Sequence, residues 1–170
     1  NGLDMAKAAI DDLEADALAV HLNPLQEIIQ PEGDTNWVGV LNAIETATTQ
    51  LDCPILIKEV GCGITPKIAE KLYAVGVLHI DVACASGTSW ARIEAARLPG
   101  DKQTLFAPFL DWGHMVTEIV PVISANLPDI TLIGSGGLRN GLDLAKLIWL
   151  GCDLGGSAGI LLKALEANNL

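Results

Sequence analysis

Short apolar runs alternate along the chain with longer segments in which apolar residues recur every three or four positions. The short runs are typical of buried strands, and the longer periodic segments are typical of amphipathic helices. The predicted strands cover residues 17–23, 54–60, 79–84, 130–135 and 153–157. The predicted helices cover residues 37–51, 66–75, 91–98, 116–127 and 142–150. Because the strands are apolar on both faces and alternate with helices, the pattern predicts a parallel sheet covered by helices.

Residues at the helix boundaries support this assignment. Thr65 and Pro66 place a capping residue before a proline at the first helical position, and Gly76 follows the end of the same segment. Pro121 is expected to kink its helix or to delay its start, because proline lacks the N–H group of a helical hydrogen bond.

The order of elements suits either a doubly wound sheet or part of a barrel. An eight-stranded barrel typically needs ~250 residues, and this chain has 170 residues. If the fold is a barrel, the chain is therefore expected to be an incomplete one that belongs to a longer protein.

The net charge and the cysteine content of the chain indicate which classes of partner and which cellular location to expect. The formal net charge is −11, so nucleic acid and anionic membrane surfaces are not expected as partners. The four cysteines show no C-x-x-C spacing, and the sequence has no signal peptide and no apolar run of ~18 residues. These features predict reduced thiols and a cytoplasmic location.

The first polar cluster lies in the run His-Leu-Asn-Pro-Leu-Gln-Glu at residues 21–27. Strand alternation places His21 and Asn23 on one face at the carboxyl end of the first strand, where the active sites of α/β proteins lie. Gln26 and Glu27 follow in the adjoining segment. An imidazole, two amides and a carboxylate together predict a ligand site, and the alternative is a polar strand end with a capping Asn.

A lysine, Lys58, ends the second predicted strand on the face opposite to Ile55 and Ile57. A lysine inside a folded protein is costly unless an anion lies beside it. The expected partner is an anionic ligand or, alternatively, the carboxylate of Glu27 or Asp81.

Two glycine-rich segments, at residues 134–141 and 155–159, follow the last two predicted strands, and Arg139 lies between those strands. Glycines let backbone N–H groups approach a ligand, and loops after the last strands of barrels commonly hold phosphate. No Ser/His/Asp motif, metal-binding Cys/His spacing or P-loop is present. The residues themselves therefore predict a barrel-type site for a phosphate-bearing ligand.

Five motifs in this order resemble the type 2, FMN-dependent isopentenyl-diphosphate isomerases. They are the run at 21–27, Lys-Glu-Val-Gly at 58–61, Gly-Thr-Ser-Trp at 87–90, Asp-Trp-Gly at 111–113 and Ser-Gly-Gly-Leu-Arg-Asn-Gly-Leu-Asp at 135–143. The resemblance implies an FMN-containing α/β fold, the TIM or (β/α)8 barrel, in a protein longer than this chain. Residues 1–170 would form a single partial barrel domain of about strands four to eight, the C-terminal part of the enzyme, with the N-terminal strands missing.

The resemblance also implies roles for individual residues. The substrate, isopentenyl diphosphate, would contact His21, Asn23 and Gln26, and Gln26 would also assist catalysis near the reacting carbons. Glu27 would bind the Mg²⁺ ion that neutralises the diphosphate. The FMN cofactor would be held by Lys58, Thr88, Gly136, Gly137, Arg139 and Ala158.

The implied reaction is the isomerisation of isopentenyl diphosphate to dimethylallyl diphosphate in isoprenoid biosynthesis, with reduced FMN as acid and base. NAD(P)H would serve only to reduce the flavin, and the full-length protein would form a homo-oligomer. Two positions depart from the family pattern, because Cys84 and Ser86 replace glycines ahead of Gly-Thr-Ser-Trp. Their side chains are expected to weaken flavin binding.

Two alternatives stay open. One is an FMN-dependent oxidoreductase of the 2-hydroxy-acid oxidase type, although such enzymes need a His/Arg pair where the sequence offers only Arg139. The other is a non-catalytic barrel fragment, because a barrel that lacks strands has two open sheet edges.

Overall fold

The structure, a computed structural model, describes residues 2–167. Its strands are β1 (Leu18–His21), β2 (Ile55–Lys58), β3 (His79–Asp81), β4 (Thr131–Ser135) and β5 (Leu154–Gly156). Each lies within one of the predicted strands, so the strand prediction is confirmed with shorter bounds.

Helices flank every strand of the described residues. They are α1 (Gly2–Leu13), α2 (Pro24–Ile29), α3 (Val40–Gln50), α4 (Pro66–Ala74), α5 (Trp90–Arg97), α6 (Gly100–Phe106), α7 (Val116–Asn126), α8 (Gly141–Leu150) and α9 (Gly159–Glu166). The predicted helices correspond to α3, α4, α5, α7 and α8. The sequence pattern does not predict α2, α6 and α9. Helices of six and seven residues, such as α2 and α6, are short for periodicity to show, whereas α9 has eight residues, as many as the predicted α5. Within residues 2–167, no helix is long and apolar enough to cross a membrane.

Two of the predicted helix starts can be compared directly with the structure. At α4, Thr65 Oγ1 accepts a hydrogen bond from the N–H of Ile68 at 3.4 Å, ahead of a proline in the first turn, which confirms the predicted cap. At α7, the helix begins at Val116 and Pro121 lies inside it. Of the two expected effects of Pro121, the later start is therefore not found, and the kink stays a prediction. The carboxylate of Glu118 fixes this start by accepting the N–H of Met115 at 2.9 Å.

All strands pair in parallel in the order β1-β2-β3-β4-β5. The prediction of a (β/α)8 barrel, with this chain as about strands four to eight, is wrong as a description of the structure. Closing a barrel requires hydrogen bonds between the first and last strands, and in the described residues β1 pairs only with β2 and β5 only with β4. The described part of the chain is therefore a small α/β domain with an open five-stranded parallel sheet.

The two faces of the sheet have different surroundings. Ile57, Ile80 and Leu132, which are at most 1% exposed, lie on the face covered by helices and form the centre of the main hydrophobic core. Each such side chain contributes about 1.5–3 kcal/mol by its burial. His21, Lys58 and Asp81 are aligned in register on three neighbouring strands and point to the opposite face. The polar strand ends thus share one side of the sheet.

A second, smaller core fixes the position of α2. It consists of Ile29 from α2 and Ala91, Ala95 and Leu98 from α5 and its end. Because Gln26 and Glu27 lie on α2, this contact determines where the predicted substrate residues are held relative to α5.

Candidate functional site

A cavity of about 830 Å³ opens at the carboxyl ends of the strands. The last residue of every strand lines it: His21, Lys58, Asp81, Ser135 and Gly156. In parallel sheets the loops after these ends surround the usual ligand site. The location predicted from the sequence is therefore one where the described residues form a cavity.

Most of the predicted site residues line this cavity. They are His21, Gln26, Lys58, Thr88, Gly136, Gly137, Arg139 and Ala158. Asn23 and Glu27 do not line the cavity. The side chain of Asn23 instead forms hydrogen bonds with the side chains of Gln26 and Glu27.

Gln26 is held by its neighbours on α2. Asn23 is 6% exposed, and its amide Nδ2 donates to Gln26 Oε1 at 3.2 Å and to Glu27 Oε1 at 2.8 Å. Glu27 Oε2 in turn accepts the backbone N–H of Asp34 at 2.8 Å. Both N–H groups of the Asn23 amide are thus used within the protein, which leaves Gln26 as the amide that faces the cavity.

The buried carboxylate of Glu94, on α5, fixes Gln26 from the other side. Its Oε1 accepts hydrogen bonds from the side-chain amides of Gln26 at 3.1 Å and Gln30 at 2.8 Å. Its Oε2 accepts a hydrogen bond from Arg97 at 2.5 Å. The Gln30 hydrogen bond, with those from Gln26 and Arg97, lowers the pKa of Glu94 against the opposing effect of its burial.

Glu94 is absent from the residues predicted from the sequence, although a signal for it exists. Ala91, Ala95 and Leu98 form an apolar stripe at helical spacing, and Glu94 lies within that stripe. A carboxylate in an apolar stripe needs hydrogen-bond donors when the helix packs. Glu94 is 3% exposed and has three such donors.

Lys58 is half-buried, and its ammonium group donates to the carbonyl oxygen of Glu59 at 2.7 Å. The alternative prediction, an ion pair with Glu27 or Asp81, is not among the ion pairs of residues 2–167. The ammonium group keeps further N–H donors toward the cavity, as an anionic ligand requires.

The carboxylate of Glu59, which the sequence pattern also does not predict, organises the turn after β2. Its Oε2 accepts the backbone N–H groups of Val60 and Gly61, each at 2.6 Å, and of Gly63 at 3.2 Å. The N–H of Cys62 points to the same oxygen. Because Val60 and Gly61 line the cavity, the buried carboxylate shapes one of its walls.

The loop after β3 contacts the glycine-rich loop after β4. A Cβ atom on Gly136 would lie 2.2 Å from the carbonyl oxygen of Cys84, and one on Gly137 would lie 2.1 Å from that of Ser86. Both glycines also have positive φ values, of 103° and 81°. Glycine is therefore required at both positions for the two loops to pack, independently of any ligand.

The two departures from the family pattern have structural roles in these loops. Ser86 Oγ donates to the carbonyl oxygen of Gly136 at 2.6 Å and so links the loop after β3 to the glycine-rich loop. Cys84 is fully buried in the main core, and burial raises its pKa to about 12. The expected effect of both side chains on flavin binding stays a prediction.

Besides Lys58, two cationic side chains line the cavity. Arg139 is largely exposed and forms an ion pair with Asp143 at 3.2 Å, which lowers the pKa of Asp143. Lys163, on α9, also lines the cavity. It is not among the site residues predicted from the sequence. Ala158, at the start of α9, lies in the same wall. The arrangement suits a phosphate group.

The described residues offer few ligands for a metal ion. They contain no group of three or more His, Cys, Asp and Glu side chains placed to hold one. Glu27 supplies one carboxylate, each of whose oxygens accepts a single hydrogen bond. One protein carboxylate is enough for Mg²⁺ when substrate phosphates and waters complete its coordination. The carboxylate of Glu27 is suited to that role by its chemistry, and it lies next to Gln26 in the chain, outside the lining of the cavity.

Curated proteins similar to this chain include isopentenyl-diphosphate delta-isomerases from Stutzerimonas stutzeri, Nostoc sp. and Pseudescherichia vulneris. The identities are 46% over 169 residues, 51% over 164 residues and 48% over 162 residues, respectively. These alignments cover 98%, 96% and 94% of this chain and 49%, 47% and 47% of the relatives. The chain thus spans about half the length of the curated relatives it matches. No family model matches the chain.

Solved structures similar in fold include mandelate oxidase with 3,3-difluoro-2-hydroxy-3-phenylpropionic acid and a mandelate oxidase mutant with the monooxide FMN adduct. The TM-scores are 0.62 and 0.61, and the sequence identities are 19% in both cases. The matches cover 97% of this chain and 47% and 46% of those chains. At such identities the similarity shows a shared fold alone.

The resemblance to the C-terminal part of a type 2 isomerase needs correction. No family model matches the chain, and the names of its relatives specify no type of isomerase. The statement that the comparisons support is coarser: over nearly its whole length, the chain is similar to about half of proteins named isopentenyl-diphosphate delta-isomerase.

Proposed function

We propose that this chain supplies the substrate and cofactor site of an enzyme that isomerises isopentenyl diphosphate to dimethylallyl diphosphate in isoprenoid biosynthesis. The observation that carries the proposal is the position of Gln26, whose amide faces the cavity and is fixed by Asn23 and Glu94. A fixed, uncharged polar group suits a substrate whose reacting end is a neutral alkene. The names of the similar proteins support the same reaction.

Gln26 keeps hydrogen-bonding capacity for a ligand. One of its two N–H groups is donated to Glu94 and one of its two oxygen lone pairs accepts from Asn23, so one N–H and one lone pair remain. We assign Gln26 a catalytic role near the reacting carbons and His21 a contact with the substrate. Asn23 is buried behind Gln26 and acts through it, as a positioning residue.

The size and the lining residues of the cavity suit FMN. The volume of about 830 Å³ lies within the usual range of ligand sites, roughly 300–1,000 Å³. When bound and reduced, FMN would supply the acid and base for the double-bond shift. The residues that would hold it are Lys58, Thr88, Gly136, Gly137, Arg139 and Ala158, with Lys163 as a further cation.

Three further elements complete the proposal. Glu27 would hold Mg²⁺ against the substrate diphosphate. NAD(P)H would reduce the flavin, and the full-length protein would be a homo-oligomer. The single domain expected over residues 1–170 remains a proposal, since residues 1 and 168–170 lie outside the described part of the chain.

The test measures isomerase activity with FMN, Mg²⁺ and NAD(P)H for the wild-type protein, Gln26→Leu and Gln50→Leu. Leucine fills a similar space but neither donates nor accepts a hydrogen bond, so Gln26→Leu should lower kcat by at least about 10²-fold. Gln50 is exposed at the end of α3, and its replacement controls for the loss of a glutamine. The control should keep the wild-type kcat.

Three outcomes would count against the proposal. Equal kcat values for Gln26→Leu and the control would refute the role of Gln26. Flavin-dependent oxidation of a 2-hydroxy acid without isomerisation would favour the oxidoreductase alternative. A wild-type protein that neither isomerises nor quenches the fluorescence of added FMN would contradict the proposed function as a whole.

A further inference from the structure

Asp81 ends β3 at the floor of the cavity and has no role in the reaction proposed above. Its Cα partner on β2 is Lys58, and Ser135 lies beside it on β4. Asp81 is 8% exposed and lines the cavity. A charged side chain that is buried at the base of a ligand site needs a partner for each of its oxygens.

The two carboxylate oxygens of Asp81 have different surroundings. Oδ1 accepts a hydrogen bond from Ser135 Oγ at 2.6 Å and from the N–H of Ala83 at 3.1 Å. Within residues 2–167, no donor is recorded at Oδ2. This oxygen lies 3.8 Å from the place that a Cβ atom on Gly156 would take, so it lies near the carboxyl end of β5.

The contacts at Oδ1 hold the carboxylate rigidly. Ala83 has a φ of 40°, a left-handed conformation that alanine rarely adopts. Its N–H bond to Asp81 is one of the interactions that maintain this turn, and the Ser135 hydroxyl clamps the same oxygen from the neighbouring strand. A ligand therefore meets Oδ2 as a preorganised hydrogen-bond acceptor.

The charge of Asp81 restricts what can lie against it. A carboxylate repels a phosphate group, and of the cations that line the cavity, Lys58, Arg139 and Lys163, Lys58 is the one paired in register with Asp81. The phosphate of the ligand that reaches Asp81 is therefore expected at Arg139 and Lys163. The part of the ligand that reaches Asp81 must instead carry an O–H or N–H donor. The alkyl part of isopentenyl diphosphate has no such donor, whereas a chain of hydroxyl groups next to a phosphate has several.

We propose that Oδ2 of Asp81 accepts a hydrogen bond from a hydroxyl group of a polyol phosphate, which under the proposed function is the ribityl chain of FMN. Asp81 then selects the cofactor by its polyol and keeps a second phosphorylated molecule, the substrate diphosphate, away from this end of the cavity. The inference rests on the proposed function, and it assigns a specificity-determining residue to the same site.

The test compares the affinities of FMN and riboflavin, measured by quenching of flavin fluorescence, for the wild-type protein and three variants. Asp81→Asn keeps an oxygen for Ser135 and Ala83 but places an NH₂ group where Oδ2 was. It should weaken FMN and riboflavin by the same factor, at least about tenfold. Arg139→Ala should weaken FMN and leave riboflavin unchanged, because riboflavin has no phosphate.

Asp129→Asn is the matched control. It removes the same charge from an exposed aspartate, whose only recorded side-chain contact in the described residues is a 3.4 Å hydrogen bond from Tyr73. Both flavins should bind this variant within about twofold of the wild-type affinity, since a distant exposed charge is screened by salt.

The outcomes separate the inference from the proposed function. A folded Asp81→Asn variant with wild-type riboflavin affinity would overturn the inference alone, as would a loss confined to FMN. A wild-type protein that binds neither flavin would overturn the FMN proposal and the inference together. If circular dichroism shows that Asp81→Asn is unfolded, the inference is tested on the wild-type protein alone, by comparing its affinities for two flavins. The wild-type protein should bind riboflavin at least about tenfold more tightly than lumiflavin, which lacks the ribityl chain, and equal affinities would overturn the inference.

Discussion

Replacing Glu94 with glutamine is expected to destabilise the protein, because a hydrogen bond between Glu94 and its donors is lost. In the wild-type structure, Glu94 accepts hydrogen bonds from Gln26 and Gln30 at one oxygen and from Arg97 at the other. A glutamine at position 94 has a single acceptor oxygen. Its NH₂ group must face either the two amides or the guanidinium group of Arg97, and both are donors.

The magnitude follows from the hydrogen bond that the substitution removes. If the oxygen of the new glutamine stays with Gln26 and Gln30, the charged bond to Arg97 disappears, and Arg97 keeps its other partner, Glu32, at 3.0 Å. Loss of one hydrogen bond to a charged group costs about 1.5–3 kcal/mol. We expect the free energy of unfolding at neutral pH to fall by about 2 kcal/mol, or about 1 M in the urea midpoint for a slope near 2 kcal/mol per M.

The difference between the wild-type protein and Glu94→Gln should depend on pH. The hydrogen bonds lower the pKa of Glu94 in the folded protein below its ordinary value of 4.5. The folded state therefore favours the carboxylate, and this stabilisation is complete above pH 4.5 and is lost as the pH falls through the lowered pKa. The two unfolding free energies should thus converge in acid.

Urea unfolding, followed by circular dichroism at neutral pH and at several values below 4.5, checks this prediction. Glu45→Gln is the control, since it removes the same charge from an exposed side chain of α3. It should stay within about 0.5 kcal/mol of the wild type at every pH. A destabilisation by Glu94→Gln no larger than that by the control, or one that does not shrink in acid, would refute the reasoning.

Two further predictions concern the loops and the thiols. Gly137→Ala should lower the free energy of unfolding by at least about 1–2 kcal/mol, because Gly137 has a φ of 81° and a Cβ atom there would lie 2.1 Å from the carbonyl oxygen of Ser86. Gly141→Ala, in the first turn of α8 with nothing within 4 Å of the added atom, should be neutral or stabilising, and equal melting temperatures for the two variants would contradict the loop packing. Cys84 and Cys152 should react with a thiol reagent at neutral pH far more slowly in the folded than in the unfolded protein, because burial raises their pKa values to about 12 and about 11. Mass spectrometry of the labelled protein measures both rates, and equal rates would show that the two thiols are accessible.

Local patterns account for what the sequence predicts well. The strands are short apolar runs, and the helices α3, α4, α7 and α8, of nine to eleven residues, are long enough for their periodicity to show. The same alternation places His21 and Lys58 on the side of the sheet away from the covering helices, which the structure confirms. These features depend on residues close together in the chain.

The predicted barrel fails for a different reason. The strand order β1-β2-β3-β4-β5 is common to a closed barrel and an open sheet, and only pairing between the outer strands separates the two. That pairing is a contact between residues far apart in sequence. Neither the apolar runs nor the glycine-rich loops carry information about it.

The sequence by itself determined the parallel sheet, the polar ends of its strands and the glycine-rich loops that surround one cavity. Only the tertiary structure decided which side chains hold those groups in place. Glu94 is hydrogen-bonded to Gln26, which is 68 residues away in the sequence, and Ser135 is hydrogen-bonded to Asp81, which is 54 residues away. The physical reason is that burying a carboxylate is favourable only where donors from other elements converge on it, and the convergence exists only once the helices and strands have packed.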